Sequence, residues 1–228
     1  MSLTCQDKDK NDWRWYTDSD GANYISVTSV LAHIIPIELK RWFIRTPAEE
    51  IDDKSLTAAD HGTTIARALE DKFKHGLDNK LPELDALSTL LAANNLKIVD
   101  VEFPVHSSQY GFAGRVDMLL EHTAFDGRIR RILGDLKTGR MLSPTTGWQL
   151  AAYRQAYNEL HPLEPVEGYC AIHLPRHQPE KGKVFHYEHL DFCFHAFLSC
   201  LQTFKGLYWT RLSKLGWPWL EKNIFETE

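Results

Sequence analysis

The order of apolar and polar positions divides the chain into strand-like and helix-like stretches. Lys97 to Val105 alternates with period two, placing Val99, Val101, Phe103 and Val105 on one face and Asp100 and Glu102 on the other. That pattern predicts a half-buried strand. Two more apolar-rich runs, Phe112 to Glu121 and Arg128 to Leu136, flank the turn signal Asp126-Gly127 and predict a β-hairpin. Thr57 to His75 predicts a helix, because Ile65, Leu69 and Phe73 recur at i, i+4 and i+8 with Gly62 and Ala66 on the same side. Further helices are predicted for Glu38 to Glu50, interrupted near Pro47, and for Leu84 to Asn94, Pro144 to Leu160 and Phe192 to Leu215. Short strands are expected at Trp13 to Tyr16, Tyr24 to Val27, Glu167 to Leu174 and Val184 to Leu190. Ser26 to Leu31 passes from strand into helix, with Ser26 or Thr28 as the N-cap. The fold class is α/β, a mixed central sheet flanked by helices.

The hairpin can be tested for parity. Val116, Met118 and Leu120 form the apolar face of its first strand, leaving Arg115, Asp117, Leu119 and Glu121 opposite. In the second strand Ile132, Gly134 and Leu136 share a face, leaving Arg131, Leu133, Asp135 and Lys137 opposite. Matching the apolar faces brings Asp117 to the side of Asp135 and Lys137. A two-residue turn would invert that relation, so an odd loop or a bulge is expected.

Two neighbouring carboxylates repel unless a cation or a shared proton intervenes. Hard oxygen ligands without nearby His or Cys favour Mg²⁺ or Mn²⁺ over zinc. The Leu136 carbonyl, at a strand end, offers one more oxygen. Lys137 suits a water nucleophile and a charge developing on phosphorus. The competing reading of D-x-K is an ordinary polar strand face. Glu70, on the border of the Thr57–His75 stripe, either faces water or points at the same centre. Ser26 and Thr28 either cap their helix or hold a DNA phosphate at its N-terminus. Gln149 and Tyr153, four apart, share one helix face.

Composition narrows the options. A chain of 228 residues, 43% hydrophobic with seven Trp, can bury one large core. It contains no apolar run long enough for a membrane span, and its polar N-terminus lacks a signal-peptide core, so a cytoplasmic protein is expected. Cys5, Cys170, Cys193 and Cys200 contain no C-x-x-C pair and read as reduced thiols, with no iron–sulfur cluster expected. The formal net charge of −5 removes any global attraction to nucleic acid. Charge is local instead: Arg115, Arg128, Arg130, Arg131, Lys137 and Arg140 rim the hairpin, and Arg176, Lys181 and Lys183 form a second cluster. Gly134 to Gly139 has phosphate-loop spacing, but Arg140-Met141 follow where Lys-Ser/Thr is needed.

Four motifs in order carry a resemblance. They are Gly62-Thr63-Thr64-Ile65 with Glu70, Gly114-Arg115-Val116-Asp117, Gly134-Asp135-Leu136-Lys137-Thr138, and Gln149 with Tyr153. Together with Ser26-Val27-Thr28, they resemble the RecB-like, phage-type exonuclease branch of the PD-(D/E)XK nuclease superfamily. The resemblance spans about residues 26 to 160. It implies a restriction-endonuclease-like core as one nuclease domain over 1–228, with an N-terminal helical elaboration (about 26–95) and a C-terminal helix (about 191–215). It implies Asp117, Asp135, the Leu136 carbonyl and Glu70 as ligands of Mg²⁺ or Mn²⁺, and Lys137 as the residue orienting the attacking water. Gln149 and Tyr153 would steady the lysine or contact DNA, with further DNA contacts from Ser26, Thr28, Arg115, Thr138 and Arg140.

Many RecB-like members carry a metal-binding histidine four residues after the first motif glycine. Ala66 stands there in this chain, which leaves the number of metals open. The expectation is a metal-dependent DNA exonuclease of recombination, repair or phage DNA metabolism. Its expected partners are DNA, a single-strand annealing protein and further copies of itself. The alternatives are a non-cleaving DNA-binding accessory protein that keeps the nuclease fold, or an endonuclease of the same fold.

Overall fold

The computed structural model describes residues 3–6, 13–34, 40–41, 44–77, 79–124, 126–139 and 141–221, with residues 48–59 by backbone alone. Its strands are β1 (Thr4–Cys5), β2 (Trp15–Thr17), β3 (Asn23–Ser26), β4 (Leu96–Ser107), β5 (Phe112–Thr123), β6 (Ile129–Lys137), β7 (Gly168–His173) and β8 (Lys183–His186). The helices are α1 (Val27–Leu31), α2 (Ala48–His75), α3 (Pro82–Ala93), α4 (Thr145–Leu160), α5 (Leu190–Leu207) and α6 (Trp209–Lys214). The strands form one mixed, open sheet. β4, β5 and β6 run antiparallel in sequence, α4 crosses over to bring β7 parallel to β6, and β8 returns antiparallel.

Two apolar layers cover the sheet. On one side α1, α4 and α5 contribute Val30, Leu150, Ala152, Phe197 and Leu201 to a core with Phe112, Leu119 and Leu133. On the other, α2 and α3 contribute Ile65, Leu69, Leu84 and Leu87 over Met118, Leu120 and Ile132. Local chemistry explains the helix ends. Gly76, at φ 67°, takes the left-handed position that closes α2 after Lys72, Lys74 and His75. Pro82 opens α3 with Glu83 and Asp85 in its first turn.

The hairpin has the odd register. Met118 pairs with Gly134 and Thr123 with Ile129. The loop between is closed by Ala124 N–H donating to the Arg128 carbonyl at 2.9 Å, with Gly127 at φ 80°. Continuing the ladder by one residue sets Asp117 opposite Asp135.

Several expectations need correction. The alternation from Val99 to Val105 breaks twice. A bulge lies between Ile98 and Asp100, and Glu102 takes φ 50°. Val101 therefore packs with Met118 in the α2 layer, while Val99, Phe103 and Val105 pack in the α4 layer. Val116 likewise joins the α4 layer, apart from Met118 and Leu120, so β5 changes face at Asp117, opposite Glu102. Phe73 leaves the α2 stripe and is 42% exposed.

The C-terminal helix is two helices. Gly206 weakens its end, and Tyr208 turns out of helical geometry to pack on Trp13, His33 and Phe204 at 4.7, 4.9 and 5.0 Å. β1 to β3 precede the N-terminal helices and join the sheet through a parallel pairing of β3 with Phe112 and Ala113. Of the expected Glu38 to Glu50 helix, residues 38, 39, 42 and 43 lie outside the described residues, while 40–41 and 44–45 are helical and the helix breaks at 46–47 before α2 begins at Ala48. Among the described residues, no helix is long and apolar enough to cross a membrane.

Candidate functional site

The site lies where one edge of β5 forks. β4 occupies the other edge along the whole strand, so β3 and β6 must share this one. β3 takes Phe112 and Ala113, and β6 takes Met118 onward, leaving Gly114 to Asp117 without a ladder partner there. Backbone groups freed in this way need other partners. The Asp117 side chain supplies one: its Oδ2 accepts the Leu136 N–H at 2.7 Å.

Asp135 and Lys137, two residues apart on β6, meet beneath α4. Asp135 is 1% exposed. Its Oδ1 accepts hydrogen bonds from Lys137 Nζ at 3.0 Å and Gln149 Nε2 at 2.9 Å. Its Oδ2 lies 2.8 Å from the same ammonium but off the line of a hydrogen bond, so this buried oxygen is left without one. Gln149 also reaches Lys137 at 3.5 Å and the Tyr153 hydroxyl at 3.4 Å. Tyr153 fits because position 114 is glycine. A Cβ at Gly114 would stand 2.2 Å from Tyr153 Cε1.

α2 forms the facing wall. Glu70 accepts a hydrogen bond from Lys74 at 3.0 Å and lies 3.7 Å from Arg115. Arg115 Nε sits 3.2 Å from the Glu102 carboxylate, and Lys74 donates to the Glu102 carbonyl at 3.2 Å. The cleft between these walls, about 470 Å³, is lined by Glu70, Glu102, Asp117, Leu136, Lys137, Gln149 and Tyr153, with Thr28, Ala66 and Arg115 around them.

Electrostatics follow from this crowding. Burial, reinforced by the Asp135 charge, pushes the Asp117 carboxyl up to about 8, against Lys137 and the Leu136 N–H. Asp117 sits deep in the protein yet is only partly enclosed, because one side opens on the cleft. Burial works against the Lys137 ammonium, but Asp135 and Asp117 outweigh it and raise its pKa. Burial raises Glu102, with Arg115 opposing. The hydrogen bond from Lys74 holds Glu70 low. Burial lifts Tyr153 well above the usual phenol range.

The fold therefore gathers Glu70, Asp117, Asp135, Leu136, Lys137, Gln149 and Tyr153 into one place, with Thr28 and Arg115 at its edge. Leu136 engages Asp117 through its N–H. Ser26 is buried with its hydroxyl 2.7 Å from that of Thr28, and no side-chain bond caps α1. Thr138 lines a separate cavity of about 320 Å³ with His61, Arg176 and His177. His61 itself pairs with Glu83 at 3.4 Å. Arg140 lies outside the described residues.

Glu102 is the residue that strand alternation undervalued. In sequence either an exposed strand position or a support behind the metal ligands, it is 11% exposed at its side chain and aligned with Asp117 across β4 and β5. Its left-handed backbone, rare for glutamate, has no signature in the sequence.

The donors fit a hard divalent cation in type: carboxylates from three adjacent strands and one helix, including a buried oxygen that lacks a hydrogen bond. In the conformation seen, Lys137, Arg115 and Lys74 take up Asp135, Glu102 and Glu70, while Asp117 accepts the Leu136 N–H. Among the described residues, no three His, Cys, Asp or Glu side chains are grouped closely enough to hold a metal ion. Compared with known proteins, the chain matches no family model and no curated protein.

Proposed function

We propose that this chain is a Mg²⁺- or Mn²⁺-dependent DNA exonuclease built on a restriction-endonuclease-like core. The observation that carries the reading is the hairpin register. It sets Asp117 beside Asp135 and Lys137 where β5 and β6 part, in a cleft whose other wall carries Glu70. The β4–β5–β6 meander followed by the α4 crossover to parallel β7 supports the core assignment.

Asp117 and Asp135 would hold the cation, with Glu70 and Glu102 within the same cleft. When bound, the ion would polarise the phosphodiester and acidify water. The protein's own groups do the rest. Lys137 keeps its positive charge and presents it where charge develops on the phosphoryl oxygens. Gln149 restrains both Asp135 and Lys137, and Tyr153 restrains Gln149. The Leu136 N–H fixes one Asp117 oxygen and leaves the other for the cleft.

One observation favours a second reading, a DNA-binding protein without turnover: Glu70, Glu102 and Asp135 are already taken up by lysine and arginine. Digestion of end-labelled linear DNA beside covalently closed circular DNA, with Mg²⁺, Mn²⁺ or chelator, separates the readings. Metal-dependent loss of the linear substrate alone is expected. Cutting of the circle would make the chain an endonuclease. DNA binding without cleavage under any metal would establish the accessory protein.

A further inference from the structure

We infer that the DNA strand being cut leaves the carboxylate cleft through a second, arginine-walled cavity, where Arg14 and Arg115 hold phosphates flanking the scissile one. This rests on the nuclease reading and adds a path to it. The second cavity, about 950 Å³, is lined by Thr4, Cys5, Arg14, Tyr16, Pro104 and Arg115 among others. It shares Arg14, Tyr16 and Arg115 with the carboxylate cleft, so the two form one continuous groove.

Charge along that groove is uneven. The cleft holds the carboxylates, whereas among the described residues none lining the second cavity is acidic. Arg14 and Arg67, both exposed on the groove, have no carboxylate partner among the described residues. On a chain of net charge −5, guanidinium groups left without acids along one groove suit an external polyanion.

The position of Arg14 is built by the fold. Its N–H donates to Ser29 Oγ at 2.8 Å, and its carbonyl accepts from the Ser26 N–H at 3.0 Å. The start of α1 thus anchors the backbone while the guanidinium lies beside the Tyr16 hydroxyl. A run of phosphates extending from the cleft meets Arg115 at the junction and Arg14 on the wall.

The chain carries its own probe. Cys5 lines the second cavity and is exposed, whereas Cys170, Cys193 and Cys200 are buried. A short fluorescein-labelled DNA oligonucleotide is bound in chelator, and its affinity is followed by anisotropy across a salt series. Maleimide alkylation of Cys5 is then timed with and without the same DNA. With DNA at ten times its Kd, alkylation of Cys5 is expected to slow about ten-fold. Arg14→Ala is expected to flatten the log K against log salt slope by about 0.7 to 0.9, and Arg14→Lys to keep it. Arg128→Ala, at the hairpin tip, should leave the slope alone.

Unchanged Cys5 reactivity with DNA bound, or a wild-type slope in Arg14→Ala, overturns the path while leaving the nuclease reading intact. A wild-type protein that binds no DNA overturns both.

Discussion

Asp117→Asn should make the metal-free protein more stable while removing the proposed nuclease activity. The raised pKa of about 8, against an ordinary 3.8, means the folded protein holds a proton that the unfolded chain releases. The stability linked to that proton is whole below pH 3.8 and is lost as pH rises through about 8. The loss runs at about 1.4 kcal/mol per pH unit, or roughly 4 kcal/mol by neutral pH for a fully enclosed carboxyl.

Cleft water reaches one side of Asp117, so an effect of about 1–3 kcal/mol is expected, or roughly 3–10 °C in Tm for a chain of this length. Asparagine carries no charge to repel Asp135, and its Oδ1 still accepts the Leu136 N–H. The assay is thermal unfolding in chelator from pH 5 to 8.5. The wild-type Tm should fall across that range more steeply than that of the variant, and Mn²⁺ should raise the wild-type Tm but barely move the variant. A variant that melts below wild type at pH 8 in chelator would refute the assigned burial and repulsion.

The other predictions use the same geometry. Lys137→Ala strands the buried Asp135 carboxylate, so it should cost about 3–5 kcal/mol by denaturant unfolding as well as roughly 10²-fold or more in the proposed nuclease rate. Adding Asp135→Asn to that variant should restore the stability and not the rate, and a double variant as unstable as Lys137→Ala alone would sink the pairing. Gly114→Ala drives a methyl into Tyr153 and should destabilise by about 1–3 kcal/mol, with near-neutrality counting against the close packing. Arg115→Ala releases Glu102 and Glu70, so calorimetry should find tighter Mn²⁺ binding in the absence of DNA; weaker binding would assign Arg115 a supporting role instead.

Much of the site was legible because its parts are local. Asp135 and Lys137 share a face by strand geometry, and the parity of two apolar runs required the odd loop that sets Asp117 beside them. Gln149 and Tyr153 share a helix face by spacing alone. The burial of Glu102 in the cleft was not legible, since a bulge and a left-handed residue shift its strand out of simple alternation. The break at Tyr208 was equally hidden, because Trp13 and His33, far away in the chain, draw its ring out of helical register.

By itself the sequence determined the candidate polar residues and, wherever a strand or helix stays regular, the face they share, since periodicity within a strand or helix is set by backbone geometry. Only the tertiary structure decided what those faces meet: that α2 brings Glu70 to Lys74 and Arg115, that β3 and β6 fork on one edge of β5, and that Arg14 reaches the groove. Such meetings depend on distances between segments remote in sequence, and no local pattern encodes those distances.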